Sequence, residues 1–288
     1  MKKIFISIMG LLVVLACNQK PNSLSANMED DEDMTTPEGT RASDADTLVT
    51  SMLTYEYDSD KVQCVLNIEW PESDGSRHLL NAVREFINEK LGGIYMGDLA
   101  DGNSVVNFYG DSIRNKLVRL RSEECDNVEE DYINGFYRNI SISKTFETQR
   151  MVTFEVSTEV YLNGAHGTMS HYGISFRKGD GRRFGYAMMR DLYTESMYEL
   201  VKNGLKEYFS EGGASVVTDD DLKEYILTED DVNALPLPHE EPYFTEDGLM
   251  FVYQPYEISF YAAGMPQFCV PRGVIMPFLT VSAKRLME

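Results

Sequence analysis

Val152-Thr153-Phe154-Glu155-Val156-Ser157-Thr158-Glu159-Val160 alternates two classes of side chain without interruption. Successive strand residues point to opposite faces, so Val152, Phe154, Val156, Thr158 and Val160 share one face and Thr153, Glu155, Ser157 and Glu159 the other. One face meets a core and the other water, which is the pattern of a half-buried antiparallel strand. Asn163-Gly164 supports a turn after it, Thr168 to Phe176 a returning strand, and Gly179-Asp180-Gly181 the distal turn. Upstream, Ile140, Ile142 and Phe146 share one parity and predict a further strand.

Around this sheet the period changes. Thr54 to Trp70 reads as extended and closes in turn residues Pro71 to Ser76. Leu79, Leu80, Val83, Phe86, Ile87 and Leu91 recur at three-to-four spacing, predicting a helix from Arg77 to Leu91 that stops at Gly92-Gly93. A second helical tract lies between Ser104 and Glu124, with a break expected in the acidic run Glu123 to Asp131. Further on, helices are expected at Glu195 to Phe209 and Asp219 to Leu227, strands at Leu249 to Gln254 and Phe268 to Val270, and a short helix near Gly273 to Leu279. Pro236, Pro238 and Pro242 mark a stiff connection. Strands, helices and strands in this order indicate α+β, a mostly antiparallel sheet with helices packed on it and two sequential sub-regions in one folded unit.

The chain has 288 residues, 43% of them hydrophobic, with a net charge of −21. That apolar content suffices for a packed core. The acidic balance, without any Lys/Arg run, disfavours nucleic-acid binding. Lys2-Lys3 followed by apolar Ile4 to Ala16 reads as a secretory signal, being shorter than the ~20 residues of a spanning helix. It ends Val14-Leu15-Ala16-Cys17, which resembles the bacterial lipobox, so Cys17 is the expected lipidation site and the cell envelope the expected location. Asn18 after the Cys favours the outer membrane by analogy with Gram-negative sorting. Residues 17–47 then read as a lipidated Cys and an acidic tether, where Glu29-Asp30-Asp31-Glu32-Asp33 repels itself and too few apolar side chains exist to order the segment. Cys64, Cys125 and Cys269 remain, an odd number that permits one disulfide at most. Cys64 alternates with Val62 and Leu66 and reads as a buried thiol.

Three motifs point to a family. Glu159-Val160-Tyr161-Leu162-Asn163-Gly164-Ala165-His166-Gly167 is a strand running into a G-A-H-G turn, and Arg190-Asp191-Leu192-Tyr193 is a D-L-aromatic helix start. Gly248-Leu249-Met250-Phe251-Val252-Tyr253-Gln254-Pro255-Tyr256-Glu257-Ile258 is followed by Tyr261-Ala262-Ala263-Gly264. Together they resemble the extracytoplasmic domain family of RsiV-type anti-sigma factors, also found beside the catalytic domain of some peptidoglycan deacetylases. The resemblance covers about Ser157 to Leu279, and the parsing it implies is a signal at 1–16, a tether at 17–47, an N-terminal α+β half at 48–154 and an RsiV-like half at 155–288. A sigma-binding segment and a transmembrane helix, both present in RsiV-type proteins, are not read here, so anti-sigma activity is not carried over. The resemblance implies a non-catalytic binding domain whose partner is a lysozyme-like cationic protein, or a peptidoglycan-binding module.

Candidate contact residues sit in the motif loops: Asn163 and His166 in one, Tyr256 and Tyr261 in the other. His166 between small residues suits a general base, yet no nucleophile and orienting group accompany it; a turn His pinned to backbone is the plainer alternative. Tyr253, Tyr256, Phe260 and Tyr261 with Pro255 make either a carbohydrate platform or a packed core edge. No metal-ligand spacing and no cofactor motif are read. His166 and His171 do not form a zinc pair by their spacing, and Asp219-Asp220-Asp221 reads as helix N-terminal acids rather than a calcium loop.

Overall fold

A computed structural model of the protein describes residues 47–59, 61–73, 76–125, 135–211, 216–227 and 232–287. The expected signal, the expected lipidation site Cys17 and the expected tether up to residue 46 lie outside the described residues, as does most of the acidic run after Glu123.

The first sheet has five strands in sequence order: β1 (Val49–Ser59), β2 (Val62–Ser73), β3 (Phe136–Glu147), β4 (Met151–Leu162) and β5 (Thr168–Arg177). All neighbours pair antiparallel except β2 with β3, which run parallel because α1 (Arg77–Leu91) and α2 (Gly102–Cys125) carry the chain back between them. Ser76 caps α1 by accepting from the Leu79 N–H, and Gly92, at φ 143°, ends it.

One correction falls in the first hairpin. The extended stretch expected from Thr54 to Trp70 is two strands, with Lys61 in the left-handed region at φ 61°. No Gly or Asn advertises this turn. A subtler signal does: the inward positions are odd at Leu53, Tyr55 and Tyr57 but even from Val62 through Cys64, Leu66, Ile68 and Trp70. A change of parity within an extended run requires the chain to reverse or bulge.

The even side of β2 packs with Phe136, Ile140 and Ile142, with Val152, Phe154 and Val156, and with Ile174 and Phe176 against α1 and α2. Cys64 belongs to this layer, and burial pushes its thiol up to about 11. Helix α2 approaches the sheet closely. A Cβ on Gly110 would lie 2.2 Å from the Tyr55 ring, and one on Gly102 would lie 2.6 Å from Trp70. Gly110→Ala is therefore expected to push α2 off the sheet and destabilise the fold by about 1–3 kcal/mol, read from urea denaturation; unchanged stability would show that Tyr55 moves aside freely.

The second sheet comprises β6 (Tyr243–Phe244), β7 (Gly248–Val252) and β8 (Gln267–Pro271), all antiparallel. Around it lie α3 (Glu195–Glu211), α4 (Asp219–Tyr225), α5 (Arg272–Ile275) and α6 (Val281–Lys284). Phe268 of β8 fits beside Gly204 of α3. The three consecutive aspartates are helix-start acids: Asp221 closes a capping box with Thr218, Asp219 bonds Lys206 at 2.7 Å, and Asp220 bonds Lys223 at 2.8 Å. Neither the two-residue β6 nor the one-turn α6 is anticipated by sequence periodicity.

The molecule is thus α+β with a five-stranded, mostly antiparallel sheet, a second three-stranded sheet and helices. Residue 154, the boundary drawn from sequence, lies within β4. The first apolar cluster runs from Leu48 to Phe176, and the second takes Met151 and then Phe184 to Met287, so the two clusters interleave along β4 and β5. Thr153, placed on the water-facing side by alternation, is fully buried because β6 lies over it.

Candidate functional site

At the end of β4 the chain turns through residues 163–167. Asn163 takes the left-handed conformation at φ 58°, and the Tyr161 hydroxyl donates to the Gly164 carbonyl at 2.9 Å. Tyr161 itself stacks on Tyr137 of β3, with centroids 5.8 Å apart. Burial holds the Tyr137 phenol above its ordinary range. The turn is therefore built on two sheet tyrosines rather than hanging free.

The second loop follows β7. Tyr253 is fully buried, and its hydroxyl donates to the Pro236 carbonyl at 2.6 Å. It belongs to the core and not to a ligand platform. Glu257 folds the loop back by accepting from the Gln254 N–H at 2.7 Å. The Gln254 side chain acts as a one-residue strand: its amide nitrogen donates to the His171 carbonyl at 2.8 Å and its oxygen accepts from the His171 N–H at 3.2 Å. This pair docks the loop on the free edge of β5. At the other end of the loop, Tyr208 of α3 donates to the Ala263 carbonyl at 2.7 Å, and Gly264 turns the chain at φ 75°.

That docking brings three of the four expected residues together. The His166 ring stacks on Tyr261 with centroids 4.1 Å apart and planes 25° apart, and Tyr256 lies 5.6 Å from Tyr261. A carbonyl can only accept, so His166 Nδ1 donates to Gly167 O at 2.8 Å, which leaves Nε2 turned to the Tyr256 hydroxyl 3.5 Å away. The Tyr261 hydroxyl donates to the same Gly167 carbonyl at 2.7 Å. Tyr256 has φ 67°, a conformation a bulky side chain seldom adopts, and is 56% exposed. The rings, with Met169 and Pro255, wall a shallow pocket of about 280 Å³ to which Thr168 and Ser170 add hydroxyls. Asn163 shapes the turn and does not line this pocket. Phe260 is 40% exposed and also lies outside it. Gln254 and Met169 are the participants that sequence reasoning misses; the alternation of β5 marks Met169 only as a face position.

A second polar group lies along the same hairpin. His171 Nδ1 is 2.8 Å from Ser157 Oγ, and its Nε2 is 3.4 Å from Glu155 and 3.5 Å from the Tyr243 hydroxyl. The order hydroxyl–imidazole–carboxylate exists only through the register that pairs Ser157 with His171. Its setting does not suit acyl transfer. β4 is bonded on both sides, so backbone N–H groups around Ser157 are taken by the ladder rather than aimed at a developing oxyanion. Among the described residues no three His, Cys, Asp or Glu side chains are grouped to hold a metal ion, and no helix is long and apolar enough to cross a membrane.

Residues 188–273 match the model of a family described as a protein of unknown function, DUF3298. The match includes the D-L-aromatic helix start and the whole P-Y-E-I…Y-A-x-G loop but begins after the His166 turn. No curated protein matches the chain. Among solved structures, a DUF3298 family member from Bacteroides fragilis superposes with a TM-score of 0.66 at 20% identity, covering 85% of this chain and 98% of its own. A DUF3298 family protein from Pseudomonas aeruginosa does so with a TM-score of 0.54 at 14% identity, covering 82% and 96%. At such identities the likeness establishes the fold.

Proposed function

We propose that the protein is a lipid-anchored, non-catalytic binding protein of the cell envelope, related to the RsiV-type domains, that captures a cationic cell-wall hydrolase of the lysozyme kind. The observation that carries this reading is the convergence of the 163–167 turn and the 254–264 loop into one exposed aromatic surface on a rigid base. Tyrosines held in place by packing lose little freedom on binding and are frequent interface anchors. Charge favours a basic partner: the chain carries −21, and the exposed Glu159 is cross-strand from Met169 at the pocket wall. Such charge raises the encounter rate more than the affinity. The envelope location rests on the Lys2 to Cys17 segment, with Cys17 acylated and the outer membrane favoured by Asn18.

Titration of lysozyme against the purified protein tests this. Binding is expected at low salt and should weaken as salt screens the attraction. Tyr256→Ala should weaken it at least tenfold, since a central aromatic anchor is worth about 2 kcal/mol, while the circular dichroism spectrum stays unchanged. No binding at high micromolar lysozyme in low salt would sink the reading. A second reading, a peptidoglycan-binding module, draws on the His166–Tyr261 stack flanked by the Thr168 and Ser170 hydroxyls. Saturable binding of soluble peptidoglycan fragments without lysozyme binding would select it.

A further inference from the structure

The opposite end of the β4–β5 hairpin carries a different surface. Where β4 starts and β5 ends, a concavity of about 390 Å³ is lined by Arg150, Arg177 and Arg285, with Gln149, Ser282 and buried Leu286. We propose that this concavity binds a small phosphorylated ligand, with the three guanidinium groups around the phosphoryl oxygens.

In a chain with 26 basic against 47 acidic residues, three arginines facing one hollow without a carboxylate in its lining are a local reversal of charge. They come from three separate segments: the β3–β4 turn, the end of β5 and the chain following α6. The frame is stiff. The Lys178 N–H donates to the Arg150 carbonyl at 2.8 Å, the Arg177 N–H donates to the Arg182 carbonyl at 2.9 Å, and the Leu286 N–H donates to the Ala283 carbonyl at 3.0 Å. Asp180 grips Arg177 through Nε at 2.7 Å and through Nη2, leaving the remaining nitrogen of that guanidinium for a ligand. Its bond to Arg177 pushes the Asp180 carboxyl down to about 2, so the grip persists across the physiological range. Asp180 is a positioning residue here. Among the described residues neither Arg150 nor Arg285 has an ion-pair partner.

The shape of this donor set selects the ligand. One guanidinium satisfies a planar carboxylate bidentately, whereas three approaching from different segments match a tetrahedral dianion. The volume lies at the lower end of small-ligand pockets, leaving room for a short organic group against Leu286 and Ser282. A phosphate monoester, free or as a lipid headgroup, meets both conditions.

Calorimetric titration of the full-length purified protein with inorganic phosphate and glycerol phosphate, at matched ionic strength, is the test. Saturable binding with a Kd of ~1 mM or tighter is expected. The double variant R150Q/R285Q should weaken it at least tenfold, with an unchanged thermal midpoint in phosphate-free buffer because both side chains are exposed. Soluble dihexanoyl phosphatidic acid against dihexanoyl phosphatidylcholine distinguishes the sources: variant-sensitive binding of the first assigns a lipid headgroup, and binding of glycerol phosphate alone assigns a free ligand. No saturation with phosphate, equal binding of chloride, or identical affinity in the variant would overturn the proposal. Lysozyme capture involves the other end of the hairpin, so either reading can fail without the other.

Discussion

Glu147→Gln is expected to destabilise the protein by about 3 kcal/mol at neutral pH, near the lower end of the cost of breaking a buried pair. Glu147 closes β3 in a clamp that holds the start of the fold. One carboxylate oxygen accepts from the Leu48 N–H at 2.7 Å and pairs with Lys178 at 2.6 Å; the other pairs with Lys144 at 2.8 Å. Lys144 also donates to the Leu48 carbonyl at 2.8 Å. Only 10% of the Lys178 side chain is exposed, so the amide would strand a cation with little water to turn to. Burial by itself raises the Glu147 carboxyl. The Leu48 N–H and the two lysines outweigh burial and hold it below its ordinary value of 4.5. A carboxyl depressed by folding contributes stability that is complete above its unfolded value and disappears as pH falls through the folded one. The deficit of Glu147→Gln should therefore be widest above about pH 5 and shrink toward pH 3. Urea denaturation of both proteins at pH 7, 5 and 3 measures it. A deficit independent of pH would show that the carboxylate's charge plays no part.

Thr153→Val combined with Ser175→Ala is expected to cost about 2–5 kcal/mol, because two backbone groups lose their partners at once. Both side chains are buried where the two cores meet. Thr153 Oγ1 donates to the Phe244 carbonyl at 2.9 Å, Ser175 Oγ accepts from the Phe244 N–H at 2.8 Å, and the two oxygens lie 2.7 Å apart. The pair thus replaces a strand as the partner of β6, and removing it leaves Phe244 buried with both groups unpaired. Trp70, the sole tryptophan, sits in the first core and reports it by fluorescence, whereas far-ultraviolet circular dichroism reports both sheets. In the double variant the dichroism midpoint should fall below the fluorescence midpoint; coincident, unshifted curves would refute this coupling.

Elements with a strong local period and chemical stops were legible in the sequence. Helix α1 matches its expected bounds because Ser76 caps it, its apolar stripe is unbroken, and Gly92-Gly93 ends it. Strands β4 and β5 were readable from alternation and from Asn163-Gly164 between them. The β1–β2 turn was hidden since Lys61 adopts a left-handed conformation without Gly or Asn to signal it. At two residues β6 is too short to have a period.

The candidate site divides in the same way. Each loop was visible through its own motif, and His166, Tyr256 and Tyr261 could be named. Tyr253 could not be separated from them, because a buried and an exposed tyrosine of one loop look alike until the Pro236 carbonyl is known to lie beside the hydroxyl. Nor could the Ser157–His171–Glu155 contact or the arginine hollow be read, since each depends on strand register or on segments more than a hundred residues apart.

The sequence by itself determined what depends on near neighbours along the chain: the α+β class, the helix stops, the acidity and the two motif loops. Only tertiary structure decided which loop meets which. Gln254 completes two hydrogen bonds on the edge of β5, and that long-range pairing turns separate motifs into one surface. Such contacts leave little local signature, because a glutamine that bridges strands and one that faces water have the same immediate sequence surroundings.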